Sequence, residues 1–359
     1  MEKMVIDNFN SVFKNTNTFI TGHTGFKGSW LALWLCNLHS NVSGFSLEAE
    51  KESHWNDLET SIVNNNIGDI RNYNFVEDCL LKADPDIVFH LAAQPLVRES
   101  YKNPIETWET NVIGTANLLQ ACRKLNKIKA IIVITSDKCY ENIEIDKGYK
   151  ESDRLGGHDP YSSSKAAVEV LVSSFRRSYF SDDDSPRLVT ARAGNVVGGG
   201  DWSKNRLIPD LVRSSISGKT LSIRYPKSTR PWQHVLDCNY GYLQLASYLL
   251  SNSCVKENAF NFGPSQNSNA TVEEILIKIK SFWSSIKWQL DDQINPHEAG
   301  FLYLDSSLSR NVLNWKPILD LENTLKMTID WYKNYNKDII CSRDQLSEYT
   351  KLLQDFTNN

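Results

Sequence analysis

Tyr161 and Lys165 stand four residues apart at the head of a helical pattern, in the order Tyr161-Ser-Ser-Ser-Lys165. That spacing stacks both side chains on one helix face, a turn apart. An ammonium beside a phenol stabilises the phenolate, so the pair is suited to taking a proton near neutral pH. A second polar cluster, Thr135-Ser136-Asp137-Lys138, follows the apolar run that starts at Ala130. It offers a hydroxyl, a carboxyl and an amine in consecutive positions just past a strand end. A third group, Gly22-His23-Thr24-Gly25-Phe26-Lys27-Gly28, lies between the strand-like run Thr18 to Thr21 and the helical pattern Lys27 to His39. Glycines there permit a tight turn and let the backbone approach a pyrophosphate, whose charge the helix N-terminus favours. In this strand–loop–helix setting the GxxGxxG spacing reads as a dinucleotide cradle.

An acid about 20 residues beyond such glycines normally binds the adenosine ribose. Two positions are eligible, Ser46 at the end of the next strand and Glu48 just past it. Ser46 donates one hydrogen bond, where a carboxylate would hold both hydroxyls. No arginine lies between Ser40 and Glu50 to meet a 2′-phosphate, which favours NAD over NADP. Asp69, in Gly68-Asp69-Ile70, either places a carboxylate near the adenine amine or is a simple loop residue.

The elements that must position these groups alternate. Short β-branched runs (18–21, 42–46, 87–91 and 130–135) are separated by helix-length segments, among them Pro104 to Leu125 and Tyr161 to Ser178. Nearly continuous apolar runs suit strands buried on both faces. The pattern predicts an α/β fold: a Rossmann-type doubly wound parallel sheet over residues 1–194. Beyond 195 the composition changes to Gly- and Asn-rich turns and short strands. A smaller mixed α/β substrate-binding lobe is expected over 195–340, with parts of 235–260 candidates to return to the first domain and 341–359 a C-terminal tail. The triplet Asn64-Asn65-Asn66 reads as a polar loop.

Composition limits the alternatives. The 359 residues are 41% hydrophobic and 23% charged with a formal net charge of -4, and ten Trp, fourteen Tyr and fourteen Phe supply ample core. Mild acidity argues against a dedicated nucleic-acid binder. Seven cysteines, widely spaced and without a CxxC pair, fit reduced thiols in a cytoplasmic protein. The N-terminus lacks an apolar signal core, and the longest apolar-rich stretch, Trp30 to Leu38, is far short of the ~20 residues of a membrane span. His234 and His297 have no ligand-spaced partners, so no metal is expected.

Taken together the motifs resemble the extended short-chain dehydrogenase/reductase family that acts on sugar nucleotides, from Thr18 to about Tyr335. The strings Gly22 to Gly28, Ala93 to Arg98, Thr135 to Tyr140, Arg192 to Trp202, Arg230 to Val235 and His297 to Ala299 narrow the resemblance to its 4,6-dehydratases, in the branch that acts on CDP-glucose. The resemblance implies NAD as cofactor, held by Gly22, Gly25, Phe26, Lys27, Gly28, Ser46, Asp69, Ile70, Ala92 and Ala93 together with Tyr161 and Lys165. It implies Tyr161 as base at the glucose 4-hydroxyl, Lys165 holding the nicotinamide ribose and lowering the Tyr161 pKa, and Ser136 at O4. Asp137 would protonate the departing 6-hydroxyl. Where related dTDP-glucose enzymes carry Glu as C5 base, this chain has Lys138, either the base or an electrostatic support for the enolate. Arg206 and Arg230 are the expected phosphate ligands with Asn195 beside them, and His234 and His297 are expected near the nucleotide. Arg192 is divided between a structural and a binding role, and Trp202 and Trp232 read as packing. A homodimer through the helices at 104–125 and 161–178 is implied, with a tetramer open. A 4-epimerase would leave Asp137 and Lys138 unexplained, and a silent NAD-binding sensor would leave the Tyr–Lys pair unexplained.

Overall fold

The computed structural model describes residues 4–58, 64–144, 147–252, 255–265, 268–290, 302–337 and 339–358. Its centre is a seven-stranded parallel sheet. β1 (Asn17–Thr21), β2 (Asn41–Ser46), β3 (Asn64–Ile67), β4 (Ile87–His90), β5 (Ala130–Ile134) and β6 (Arg187–Ala193) are joined at one edge by a later strand, β10 (Ala259–Phe262). The order is β10-β6-β5-β4-β1-β2-β3, so the winding reverses between β1 and β4. In open α/β sheets that reversal leaves a crevice at the carboxyl ends of the strands, where ligands bind.

The apolar runs are buried on both faces, and their side chains divide by parity. Ala130, Ile132 and Ile134 join one core with Trp30, Trp34 and Leu35 of α2 (Phe26–Asn37). Ile131 and Val133 join the other. That second core holds Val76 and Leu80 of α3 (Tyr73–Ala83), Leu118 of α6 (Gly114–Cys122), and Val168 and Val172 of α7 (Pro160–Tyr179). A strand alternates its side chains between faces, so an unbroken apolar run serves two helical layers at once.

Several segments differ from the sequence reading. The N-terminus forms α1 (Met4–Phe13), with Phe9 and Phe13 in the core. Asn64 to Asn66 form edge strand β3 instead of a loop, in register with Ser43 to Phe45. Its strand conformation is not written in local hydrophobicity; its own side chains bind it to other segments, as Asn66 Nδ2 donates to the Gly44 carbonyl of β2. The helix expected over 104–125 follows α4 (Val97–Lys102) as α5 (Pro104–Trp108), a single π-turn (Glu109–Ile113) and α6.

After β6 the chain enters a smaller lobe. It contains β7 (Asn195–Val197), α8 (Leu207–Ile216), β8 (Leu221–Ile223) and β9 (Thr229–His234). Then α9 (Val235–Ser251) and β10 return to the large sheet, as β10 pairs with β6. The lobe resumes with β11 (Asn269–Thr271), α10 (Val272–Phe282), β12 (Trp288–Leu290), α11 (Ser307–Leu313) and α12 (Leu321–Tyr335). Its sheets are β11-β9-β7 and β12-β8. The expected tail is corrected: α13 (Ser342–Asn358) buries Leu346, Tyr349 and Leu353 in the main core, and Tyr349 donates to Asp237 of α9 at 2.7 Å.

Candidate functional site

α7 is the element that builds the site. Asp159 caps it by accepting from the Ser162 N–H, and Pro160 occupies its first turn. Tyr161, Lys165 and Glu169 recur every four residues and form one stripe, all three buried. Glu169 accepts from Arg192 of β6 (2.8 Å from Nε and from Nη2), from Thr190 (2.8 Å) and from Thr135 at the end of β5 (2.5 Å). Burial works against its charge, but Arg192 and the hydroxyls outweigh it and hold Glu169 below the usual carboxylate range. This buried ion pair staples α7 to the carboxyl ends of β5 and β6, which sets where Tyr161 and Lys165 stand. Arg192 also donates to Tyr140 Oη at 2.7 Å, so its role is structural. Glu169 was missed in the sequence; its place four residues beyond Lys165 was the available signal.

The β5 end carries the next groups. Ser136 caps a short 3-10 turn (Asp137–Cys139) and donates to Asp137 Oδ1 at 2.9 Å. Asp137 is 2% exposed. Lys138 Nζ stands 3.8 Å from Asp137 Oδ1, with about a third of its side chain exposed at 30%. Ser136 also hydrogen-bonds Tyr161. Ser136, Asp137, Lys138 and Tyr161 are thus brought together by contacts, and Lys165 follows on the Tyr161 stripe. Burial pushes the Tyr161 phenol up to about 12, against its hydrogen bond with Ser136 and the charge of Arg206. Burial, with the charge of Lys27, brings Lys165 down to about 8. Arg206, which the sequence reading placed at the phosphate, is thus a cation that also favours the Tyr161 phenolate.

The glycine loop leaves β1 toward the crevice. Gly22 has φ +77 and a Cβ there would lie 2.8 Å from the Ala92 nitrogen, while one on Gly28 would lie 2.1 Å from the Gly22 oxygen. Gly28 is required by the loop's own packing, and Gly22 lets the loop lie against Leu91 and Ala92 after β4. Gly25 differs. Its φ is -80, it is exposed, and a Cβ would meet only the Gly22 oxygen at 3.4 Å. Among the described residues nothing excludes a side chain at Gly25, no side chain caps α2, and no acid lies in its first turn. Open space over an uncapped helix start fits a pyrophosphate, so the residues suit a dinucleotide. The loop after β4 is pinned by Asn111, which bonds Gln94 through both main-chain groups and donates to Ser164 of α7. The π-turn is what turns Asn111 inward.

Lys27 donates to Tyr242 of α9 at 3.2 Å. Ser46 is 8% exposed and its hydroxyl meets Thr24 Oγ1 at 2.7 Å, beside the loop. Asp69 is bound by Arg71, which shares its carboxylate and lowers its pKa. The Ile70 side chain lies in the core, where a Cβ on Gly114 would come within 2.5 Å of it. His23, unassigned from sequence, hydrogen-bonds Asn65 at 2.8 Å and so ties the loop to β3.

In the lobe, Arg206 precedes α8, pairs with Asp201 at 3.0 Å and keeps 35% of its side chain exposed. Arg230 and Asn195 lie on the adjacent strands β9 and β7. His234, expected near the nucleotide, closes β9. It is 0% exposed, and its Nδ1 accepts from the Leu236 N–H as the cap of α9. Burial takes this ring down to about 3. Trp232 is a core residue that donates to the Ala270 carbonyl, and Trp202 packs against Tyr332 and Tyr335. His297 lies outside the described residues.

Comparison with known proteins follows the geometry. The model of the GDP-mannose 4,6 dehydratase family matches residues 19–328. The chain is 42% identical over 356 residues to the CDP-glucose 4,6-dehydratase of Salmonella typhimurium, spanning 96% of this chain and 98% of that one. The dTDP-glucose 4,6-dehydratase of Haemophilus influenzae is 26% identical over 88% of this chain and 97% of its own. Among solved structures, a dTDP-glucose 4,6-dehydratase from Streptomyces venezuelae with NAD bound superposes with a TM-score of 0.76 at 22% identity, covering 90% of this chain and 98% of that one. A UDP-glucose 4-epimerase from Thermus thermophilus in complex with NAD also gives 0.76, at 21% identity, over 88% and 98%. The parallel sheet, the glycine loop and the Tyr161–Lys165 stripe thus stand in a chain that belongs to the GDP-mannose 4,6 dehydratase family.

Proposed function

We propose that the protein is an NAD-dependent CDP-glucose 4,6-dehydratase, a hydro-lyase that makes CDP-4-keto-6-deoxyglucose and water. The observation that carries this reading is the 42% identity to a CDP-glucose 4,6-dehydratase over almost the whole of both chains. The assembly of Ser136, Asp137, Lys138 and Tyr161 at one strand end supports it. NAD, held at Gly22, Gly25 and Gly28 with Lys165, supplies a two-electron acceptor for oxidation at C4 and returns the electrons in the closing reduction at C6. Tyr161 accepts the 4-hydroxyl proton, and Ser136, hydrogen-bonded to it, carries that proton between the sugar oxygen and the phenol. A ketone at C4 acidifies C5–H. Lys138 then takes the C5 proton while Asp137 gives one to the 6-hydroxyl, which leaves as water. The two groups stand 3.8 Å apart, a separation suited to adjacent carbons of one sugar. Arg206 and Arg230, with Asn195, hold the pyrophosphate, since guanidinium forks match phosphate oxygens.

In this reading the large sheet with α9 and β10 is the cofactor-binding domain, and the remainder beyond Asn195 up to α12 is the substrate lobe. The enzyme works in the cytoplasm as a homodimer, supplying dideoxyhexose precursors of bacterial O-antigen. Among the described residues no helix is long and apolar enough to cross a membrane. Exposed Tyr101, Ile105 and Trp108 on α4 and α5, beside exposed Val170 on α7, support pairing through that face.

Mass spectrometry of glucose linked to CDP, dTDP, UDP or GDP, after incubation with protein and NAD, tests the activity. Loss of one water from the CDP sugar alone is expected. Loss from another nucleotide sugar would keep the chemistry and move the specificity. An isomer without mass change would identify an epimerase, and no change at all would leave a silent binder.

A further inference from the structure

Gln233 has no role in the reaction as described, yet it is the least satisfied polar side chain near it. It is 1% exposed, and both its amide nitrogen and its amide oxygen are buried without a hydrogen-bond partner among the described residues. A buried amide left unpaired is costly, so native structures pair such groups with protein, water or ligand.

Strand register places it. β7 and β9 run parallel with Asn195 opposite Trp232, Val196 opposite Gln233 and Val197 opposite His234. Side chains alternate along a strand, so Pro231 and Gln233 share the face that Gly194 and Val196 present, while Trp232 and His234 point the other way. A Cβ on Gly194 would lie 3.3 Å from Asp137 Oδ2 and 3.3 Å from Pro231 Cγ, so the Asp137 carboxylate lies over this face. Past Val196, a Cβ on Gly198 would lie 3.3 Å from the tip of the Phe26 ring, in the glycine loop. Gln233 therefore stands between the acid and the cofactor loop. The other groups there, Tyr161, Ser136 and Lys165, are as closed to solvent at 7%, 7% and 5%, so burial does not separate Gln233 from the reacting centre.

We infer that Gln233 is a ligand-contacting residue, its amide completed by a group that both donates and accepts hydrogen bonds: a hexose hydroxyl of the substrate or the carboxamide of the nicotinamide. This inference rests on the sugar-nucleotide dehydratase reading.

Gln233→Met keeps the side-chain volume and removes both polar atoms. Since it relieves an unpaired buried amide, its melting temperature should hold or rise, unlike a variant of a structural hydrogen bond. NAD affinity is read by tryptophan fluorescence titration of the cofactor-free protein, and KM and kcat for CDP-glucose are measured separately. A roughly tenfold weaker NAD affinity assigns the contact to the carboxamide. A similar loss in kcat/KM at unchanged NAD affinity assigns it to the hexose. Unchanged affinity and kinetics, or a lowered melting temperature with both unchanged, would overturn the inference. Should the variant not fold, a crystal structure of the wild type with NAD and CDP-glucose decides, because an amide beyond hydrogen-bond distance of either ligand also overturns it. Wild-type protein that dehydrates none of the four nucleotide sugars would defeat the dehydratase reading instead, and the NAD titration would still judge Gln233.

Discussion

At the scale of single residues, the proposed reaction leaves its pH response to two buried groups. Tyr161 must be ionised to act as base, and burial places its phenol at about 12. Lys165 must be charged to support it, and burial with the Lys27 charge places it at about 8. The ionised fraction of Tyr161 grows tenfold per pH unit through the neutral range, while the charged fraction of Lys165 falls tenfold per unit above 8. The product rises up to about pH 8 and then levels, and kcat/KM of the free enzyme should follow that shape. In Lys27→Met the charge that depresses Lys165 is gone, so the break in the profile should move to higher pH. A break that stays put would separate Lys27 from Lys165. Tyr161→Phe should lower kcat by about 10²–10⁴ with an unchanged circular dichroism spectrum. For Lys138→Met, solvent exchange of C5–H should be lost while oxidation at C4 persists, and unimpaired exchange would remove Lys138 from the base role.

At the scale of elements, the site depends on how α7 is fastened. Tyr161 and Lys165 are placed by Glu169, which Arg192 of β6 and Thr135 just past β5 both bind. Replacing Arg192 by Leu leaves a buried carboxylate without its cation, at a cost of about 3–5 kcal/mol in urea unfolding. Activity should fall at temperatures where the variant is still folded, because the same pair sets the height of α7 over the sheet. Two pieces of this arrangement have no local signature. β3 has only Ile67 as an apolar residue and is held by Asn65 against His23 and by Asn66 against Gly44, contacts with distant parts of the chain. The π-turn within 104–122 places Asn111 against Gln94 and Ser164, and residue spacing alone predicts a regular helix there.

For the whole molecule, the C-terminal helix closes the core. Leu346, Tyr349 and Leu353 are buried in the main core, and Tyr349 satisfies Asp237, whose carboxyl burial raises to about 6. Full burial of each such side chain contributes about 1.5–3 kcal/mol, so deleting residues 341–359 removes a large share of a margin of about 5–15 kcal/mol. The truncated chain should be insoluble or should melt far lower by calorimetry. The helical face with Ile105 and Trp108 offers the opposite case, large apolar groups left exposed at 71% and 41%. Ile105→Asp should shift the proposed dimer to monomer in light scattering without lowering the fold's helicity, since the side chain makes no core contact.

Some of this was determined by the sequence alone. Strands with unbroken apolar runs, the glycine loop after β1, and the Tyr161–Lys165 spacing are local patterns, and local sterics and burial are enough to specify them. Tertiary structure decided what depends on partners distant in the chain. His234 turned out to be a helix cap because its Nδ1 is taken by the Leu236 N–H. Ile70 became core because Gly114 leaves room for it. Arg192 proved to be a staple because the fold brings Glu169, 23 positions away, within hydrogen-bond range, and Arg206 of the smaller lobe adds its charge near Tyr161. Charge, burial and pairing at those points are properties of the packed molecule, since the groups that set them meet only when the sheet has closed.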